Sequence, residues 1–208
     1  LILDTSNRKI RKVSADGKCH TLIDYPNSLG AGRGLTASPD GKTVYFCGEY
    51  TGNFQLVKKW TASDNAVTTL ASDIPHGGRG LGNLALAPDG SLLVTSVGDH
   101  RVYRVNQAGE SEIIAGNGTT NGSIVSGSLA TEVSLDRVRG VAVLPDGSYF
   151  LATQKGGDVW NGTQNTLNYF GASQQSATQR NISNYVFTGV NSQGNINTIL
   201  VDFYNSNN

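Results

Sequence analysis

Seven polar side chains have the types and placement of a binding set: Arg33, His76, Arg79, Asp99, His100, Arg139 and Asp158. Arginine presents a planar fork of donors that matches carboxylates and phosphates, so Arg33 and Arg139 could hold an anion or a sugar carboxylate. They could equally cap backbone carbonyls or pair with neighbouring acids. Three imidazoles can hold a catalytic zinc with an open fourth position, and the chain has three histidines, His20, His76 and His100. Their spacing argues against this: His20 belongs to a segment remote from the other two, so at most two would converge, and no metal ligand set is assigned. No Gly-x-Ser-x-Gly elbow, phosphate loop, dinucleotide fingerprint or His-Glu-x-x-His helix occurs. Gly32-Arg33-Gly34 and Gly78-Arg79-Gly80 are loop glycines and not a phosphate cradle, because no helix follows to add its dipole. No residue is assigned a catalytic role.

The elements that must position these side chains repeat along the chain. Pro-Asp-Gly occurs at 39–41, 88–90 and 145–147, each time between two short apolar runs, and reads as a hairpin turn. A second hairpin pattern places a Gly four residues after a Val and an apolar pair eight to ten residues after it, at Val13, Val105 and Val190. Together the two hairpins make a four-stranded unit with strands a to d, and a period of roughly 40 to 50 residues is that of a propeller blade. The expected fold is therefore an all-β propeller in one domain, 1–208, with about four to five blades, an incomplete form of a six-bladed type. The expected blades are 1–24 (strands b to d only), 32–72, 80–116, 138–170 and a degenerate 183–202. The segment 185–200 reads as a c-to-d hairpin of a fifth blade, or else completes the fourth.

In such a fold the d-to-a and b-to-c loops share one face. Arg33, His76, Arg79 and Arg139 precede strands a, and Glu49, Asp99, His100 and Asp158 fall in b-to-c loops. The opposite face receives Asp16, Asp40, Asp89 and Asp146, which are better explained as turn residues bonding their own backbone. Arg33 and Arg139 occupy the same repeat position, six residues before the Pro.

Composition narrows the function classes. Sixteen Lys+Arg balance sixteen Asp+Glu, so the broad positive field of a nucleic-acid binder is missing. No apolar run approaches the roughly 20 residues of a membrane span. Met is absent and no leader pattern is seen, so a mature form or a fragment is expected. Only 15% of residues are charged and Asn, Ser and Thr abound, which points to an extracellular location. Asn-x-Ser/Thr acceptors at Asn117, Asn121, Asn161 and Asn181 fall in segments read as loops and are glycosylation candidates. Cys19 and Cys47 lie in a strand d and the next blade's strand b, where either a disulfide or two free thiols is conceivable.

The runs 4–13 (DTSNRKIRKV) and 98–105 (GDHRVYRV) look like the strand b to c core of NHL repeats. The succession 113–118, 129–135 and 138–143 resembles the inter-blade pattern of that family, and the likeness covers roughly residues 1–160. The resemblance implies a β-propeller that serves chiefly as a binding or scaffolding module, although a few relatives are enzymes. Residues 34–45 (GLTASPDGKTVY) are also similar to a segment of gluconolactonase-like and strictosidine synthase-like propellers. There a metal-binding Asn stands just before the Gly, where this chain has Arg33, and no channel-lining carboxylate is evident. The metal-binding histidines of peptidyl-hydroxyglycine lyases have no counterpart by position. The expectation is thus a non-enzymatic extracellular module with no cofactor, binding a protein or glycan partner or associating with itself through open blade edges. The alternative is a lactonase- or lyase-type enzyme with a calcium or zinc ion in the channel.

Overall fold

A computed structural model describes residues 1–27, 29, 33–120, 127–153, 159–162, 166–171, 184–187 and 199–202. These residues form antiparallel strands, with one short 3₁₀ turn at Ala130–Glu132 and no α-helix among them. No helix among them is long and apolar enough to cross a membrane.

The first sheet has three strands, β1 (Ile2–Asp4), β2 (Lys9–Val13) and β3 (Cys19–Asp24). The second runs β4 (Leu35–Ala37), β5 (Thr43–Thr51), β6 (Phe54–Thr61), β7 (Ala66–Pro75), and the third β8 (Leu81–Leu86), β9 (Leu92–Ser96), β10 (Arg101–Val105), β11 (Ser111–Ala115). In the fourth, β13 (Val138–Val143), β14 (Tyr149–Thr153), β15 (Val159–Gly162) and β16 (Thr166–Gly171) follow in order, and β12 (Ser128–Leu129) adds a fifth strand outside β16. β17 (Asn184–Phe187) and β18 (Ile199–Asp202) form a separate hairpin. β4 lies beside β8, β8 beside β13 and β13 beside β17, so the first strands of successive sheets line the centre. Because β17 occupies that inner position, the last hairpin differs from the expected c-to-d pair.

Each Pro-Asp-Gly turn closes for a stated reason. The Gly takes the left-handed φ that other residues resist (Gly41 +68°, Gly90 +83°, Gly147 +84°). The Asp oxygen accepts the backbone N–H two residues on: Asp40 from Lys42 at 3.0 Å, Asp89 from Ser91 at 2.9 Å, Asp146 from Ser148 at 2.9 Å. The adjacent Ser38, Ser91 and Ser148 hydroxyls bond the same carboxylates, holding all three below the usual carboxylate range. The turn aspartates are therefore committed to backbone.

Side chains alternate across each strand, and both faces of β5 and β9 are largely buried. Val44 and Phe46 of β5 pack toward the first sheet with Ile10, Ile23, Tyr25 and Trp60, while Tyr45 and Cys47 pack toward the third with Leu84, Leu92 and Val94. Leu93 points the other way, into a core with Val102, Leu135, Val141 and Leu151 between the third and fourth sheets. Apolar layers between neighbouring sheets are what hold propeller blades face to face.

Cys19 and Cys47 are both free, so the disulfide candidate is corrected. Cys19 is exposed at the start of β3, whereas the Cys47 thiol is sealed between sheets, against Gly34. Burial pushes the Cys47 thiol up to about 12. Asn161 is also relocated: it sits in β15, paired with Phe150 on one side and Asn168 on the other, and not in a loop.

Candidate functional site

The site is assembled where strands enter the sheets from one face. Arg33 immediately precedes the Gly34–Leu35 step into β4, Arg79 lies two residues before β8, and Arg139 is the second residue of β13 itself. The repeat position shared by Arg33 and Arg139 is Gly82 in the third sheet. There a Cβ would meet the Arg139 carbonyl at 2.6 Å and its Cα at 3.1 Å, so the missing side chain is what lets β13 approach β8. The guanidinium missing at that position is replaced by Arg79, three residues upstream.

Hydrogen bonds between sheets fix these backbones. The Arg33 N–H donates to the Leu81 carbonyl at 3.3 Å, and the Leu81 N–H donates to Gln55 Oε1 at 2.7 Å. Gln55, fully buried, donates from Nε2 to the Gly48 carbonyl at 2.8 Å. The Thr95 hydroxyl accepts from the Asn83 N–H at 2.8 Å and donates to the Arg139 carbonyl at 3.1 Å.

Arg139 is the electrostatic centre. Its guanidinium is held below its ordinary proton affinity, first by burial and then by the positive charges of Arg33, Arg137 and Arg79. The charges of three other arginines thus act on Arg139. Arg137 was not identified from the repeat because it stands outside the repeat register. Its signal is only its nearness in sequence to Arg139, because its left-handed φ and the irregular register at Val138–Gly140 break the strand alternation there. Arg137 has φ +54°, donates its N–H to His100 Nδ1 at 3.0 Å, and has Nε 3.8 Å from Asp136 Oδ1.

The remaining candidates brace loops. His76 Nδ1 accepts the Gly78 N–H at 2.9 Å, its Nε2 lies 3.2 Å from the Gly52 carbonyl, and its ring packs on Tyr50 at 4.6 Å. Both nitrogens are occupied, as a neutral ring with the proton on Nε2 requires. His100 Nδ1 is likewise taken by Arg137, with Asp136 at 3.8 Å. Asp99 accepts from Arg101 Nη1 at 3.1 Å and from the Tyr103 hydroxyl. Among the described residues no three His, Cys, Asp or Glu are grouped to hold a metal ion. Asp158, Asn121 and Asn181 lie outside the described residues. Asn117 bonds the Glu132 carbonyl through Nδ2 at 2.9 Å and accepts from the Thr119 N–H at 2.9 Å, tying its own turn together.

Glu49 lies within β5 rather than in a loop, and accepts from the Tyr25 hydroxyl and from Lys58 at 3.0 Å, while Lys58 also donates to Thr69 at 2.9 Å. Burial raises the Glu49 carboxyl, but the Tyr25 and Lys58 bonds outweigh it and the net shift is downward. A lowered carboxyl contributes stability above its unfolded value of roughly 4.3 that is lost as pH falls through the folded one. Glu49→Gln should therefore flatten the loss of stability on acidification below about pH 4.5. Urea midpoints measured from pH 6 to 3 check this; parallel curves for the two proteins would refute it.

Compared by sequence, the chain matches no family model and no curated protein. By structure it is similar to virginiamycin B lyase from Staphylococcus aureus (TM-score 0.58, 17% identity, covering 85% of this chain and 53% of that one). It is similar to a chain of the nidogen/laminin complex (0.55, 16%, 77% and 53%) and to a gluconolactonase from Xanthomonas campestris (0.53, 16%, 80% and 57%). The chain spans little more than half the length of these structures. The fold is that of a β-propeller, and the likeness extends over propellers of several families without singling out the NHL repeat.

Proposed function

We propose that this chain is an extracellular binding module whose strand-entrance face takes a carboxylate-bearing partner, an acidic glycan or an acidic protein segment. One observation carries the reading: Arg33, Arg79 and Arg139 stand at the entrances of the neighbouring strands β4, β8 and β13, which are tied together by the Arg33 N–H to Leu81 carbonyl and Thr95 hydroxyl to Arg139 carbonyl bonds, with Arg137 two residues from Arg139. Several guanidiniums at neighbouring strand entrances raise the local positive potential, which favours an anionic ligand. Low charge and the Asn-, Ser- and Thr-rich composition support a location outside the cell. Self-association through blade edges is a further expectation, which concentration-dependent sedimentation tests.

A lactonase- or lyase-type activity is supported by the fold of its neighbours alone, and a cluster of guanidiniums disfavours a divalent cation in the same place. The test is calorimetric titration with tetragalacturonate, using uncharged maltotetraose as control. Arg139→Gln should weaken tetragalacturonate binding by about 10- to 100-fold, the worth of a charge-assisted hydrogen bond. Equal affinity for the two sugars, or no effect of the substitution, would overturn the reading.

A further inference from the structure

A second feature lies on the other side of the fold, near the Pro-Asp-Gly turns, between the third and fourth sheets. A cavity of about 310 Å³ is lined by Arg104 of β10, Glu112, Ile113 and Ile114 of β11, Leu129, Ala130 and Thr131 of the β12 segment, and Gly147 and Tyr149 at the start of β14. That volume is at the lower end of the range for small-molecule sites.

Two observations mark it as more than a packing fault. Arg104 Nε and the Tyr149 hydroxyl are buried side-chain polar atoms with no hydrogen-bond partner among the described residues, and Tyr149 is only 2% exposed. Buried donors without acceptors are costly, and native proteins keep few of them. Both side chains line the same cavity, so the two donors belong to one locality. The nearby carboxylate that also feels Arg104, Asp89, is already bonded to Ser91. Independently, two large apolar side chains on the lining, Ile113 and Leu129, are left 44% and 51% exposed.

We infer that this cavity binds a small monocarboxylate with an apolar body. The carboxylate accepts from Arg104 Nε–H and Tyr149 Oη–H, and the body lies on Ile113, Ile114 and Leu129. Glu112 at the rim selects against a second negative charge on the ligand. The site is separate from the arginine cluster and stands or falls without it.

The experiment is a methyl-detected NMR titration of the full chain with 4-methylpentanoate, with 4-methylpentanol and 3-methylglutarate as comparators. Saturable shifts confined to Ile113, Ile114, Leu129 and Ala130 are expected, with the alcohol and the dicarboxylate about tenfold weaker or more. Tyr149→Phe should weaken 4-methylpentanoate about tenfold yet raise the melting temperature, because it removes an unpartnered buried hydroxyl. Arg104→Lys, which keeps the charge but loses Nε–H, should weaken binding similarly, whereas Arg139→Gln should leave it intact. Unsaturable or scattered shifts, equal affinity for the alcohol, or a Tyr149→Phe protein that binds as well as the parent would each overturn the assignment.

Discussion

Gly98→Ala is expected to cost about 4 kcal/mol or more, enough to leave little folded protein. Gly98 needs no unusual φ; what it lacks is space. A Cβ there would lie 2.2 Å from the Gly77 carbonyl oxygen, 2.6 Å from the Gly77 carbonyl carbon and 2.7 Å from the His76 oxygen. All three are backbone atoms in a loop bound at several points: the Arg79 N–H to the His76 carbonyl at 3.0 Å, and His76 itself to Asn53, Gly52 and Gly78. The loop cannot retreat without releasing Arg79, so any surviving folded protein should bind anions poorly as well. Gly147→Ala is the control. It is strained by its φ of +84° but meets no atom within 4 Å, and should cost only about 1–2 kcal/mol. Denaturant titration of both variants checks the contrast, and equal losses would show that the His76–Arg79 loop does not press on β9's exit as described.

The second large effect is expected at Gln55. Gln55→Leu keeps the volume and the strand but strips the Leu81 N–H and the Gly48 carbonyl of their partner at a fully buried position. Each stranded group costs about 1–3 kcal/mol, for a total of about 2–6 kcal/mol. Gln55→Glu retains an acceptor for Leu81 but loses the donor to Gly48, and should be destabilised with a strong preference for low pH. Melting temperatures of the two variants across pH separate these effects. Loss of no more than about 1 kcal/mol in Gln55→Leu would mean that this bond does not tie the second and third sheets together.

What was legible in the sequence was what local chemistry decides. Pro-Asp-Gly commits its Asp and Gly to a turn wherever it occurs, so the hairpins and the short apolar runs on either side of them could be read directly. Arg33 and Arg139 could be placed by counting from those turns. The rest depended on contacts between sheets. Arg137 falls off the repeat register, and its membership in the cluster follows from where β13 meets its neighbours. Gln55 reads as an ordinary polar strand residue until the third sheet supplies Leu81. His76, Asp99 and His100 were candidate ligands by type, yet their partners are backbone groups and side chains that the fold brings to them. Cys19 and Cys47 occupy the strands expected, but one thiol faces solvent and the other the core. The Arg104 and Tyr149 cavity arises only where two sheets meet over the β12 segment.

The most direct test of the central claim is to observe the arginine side chains themselves. Arginine-labelled protein, with Nε–H resonances assigned by single substitution, would be titrated with tetragalacturonate and separately with calcium. The account predicts that Arg33, Arg79, Arg137 and Arg139 shift together along one saturable curve that weakens with added salt, while Arg11 in β2 and Arg104 in β10 stay still and calcium has no effect. Shifts spread over all arginines, or a saturable response at this face to calcium in place of the anion, would contradict it.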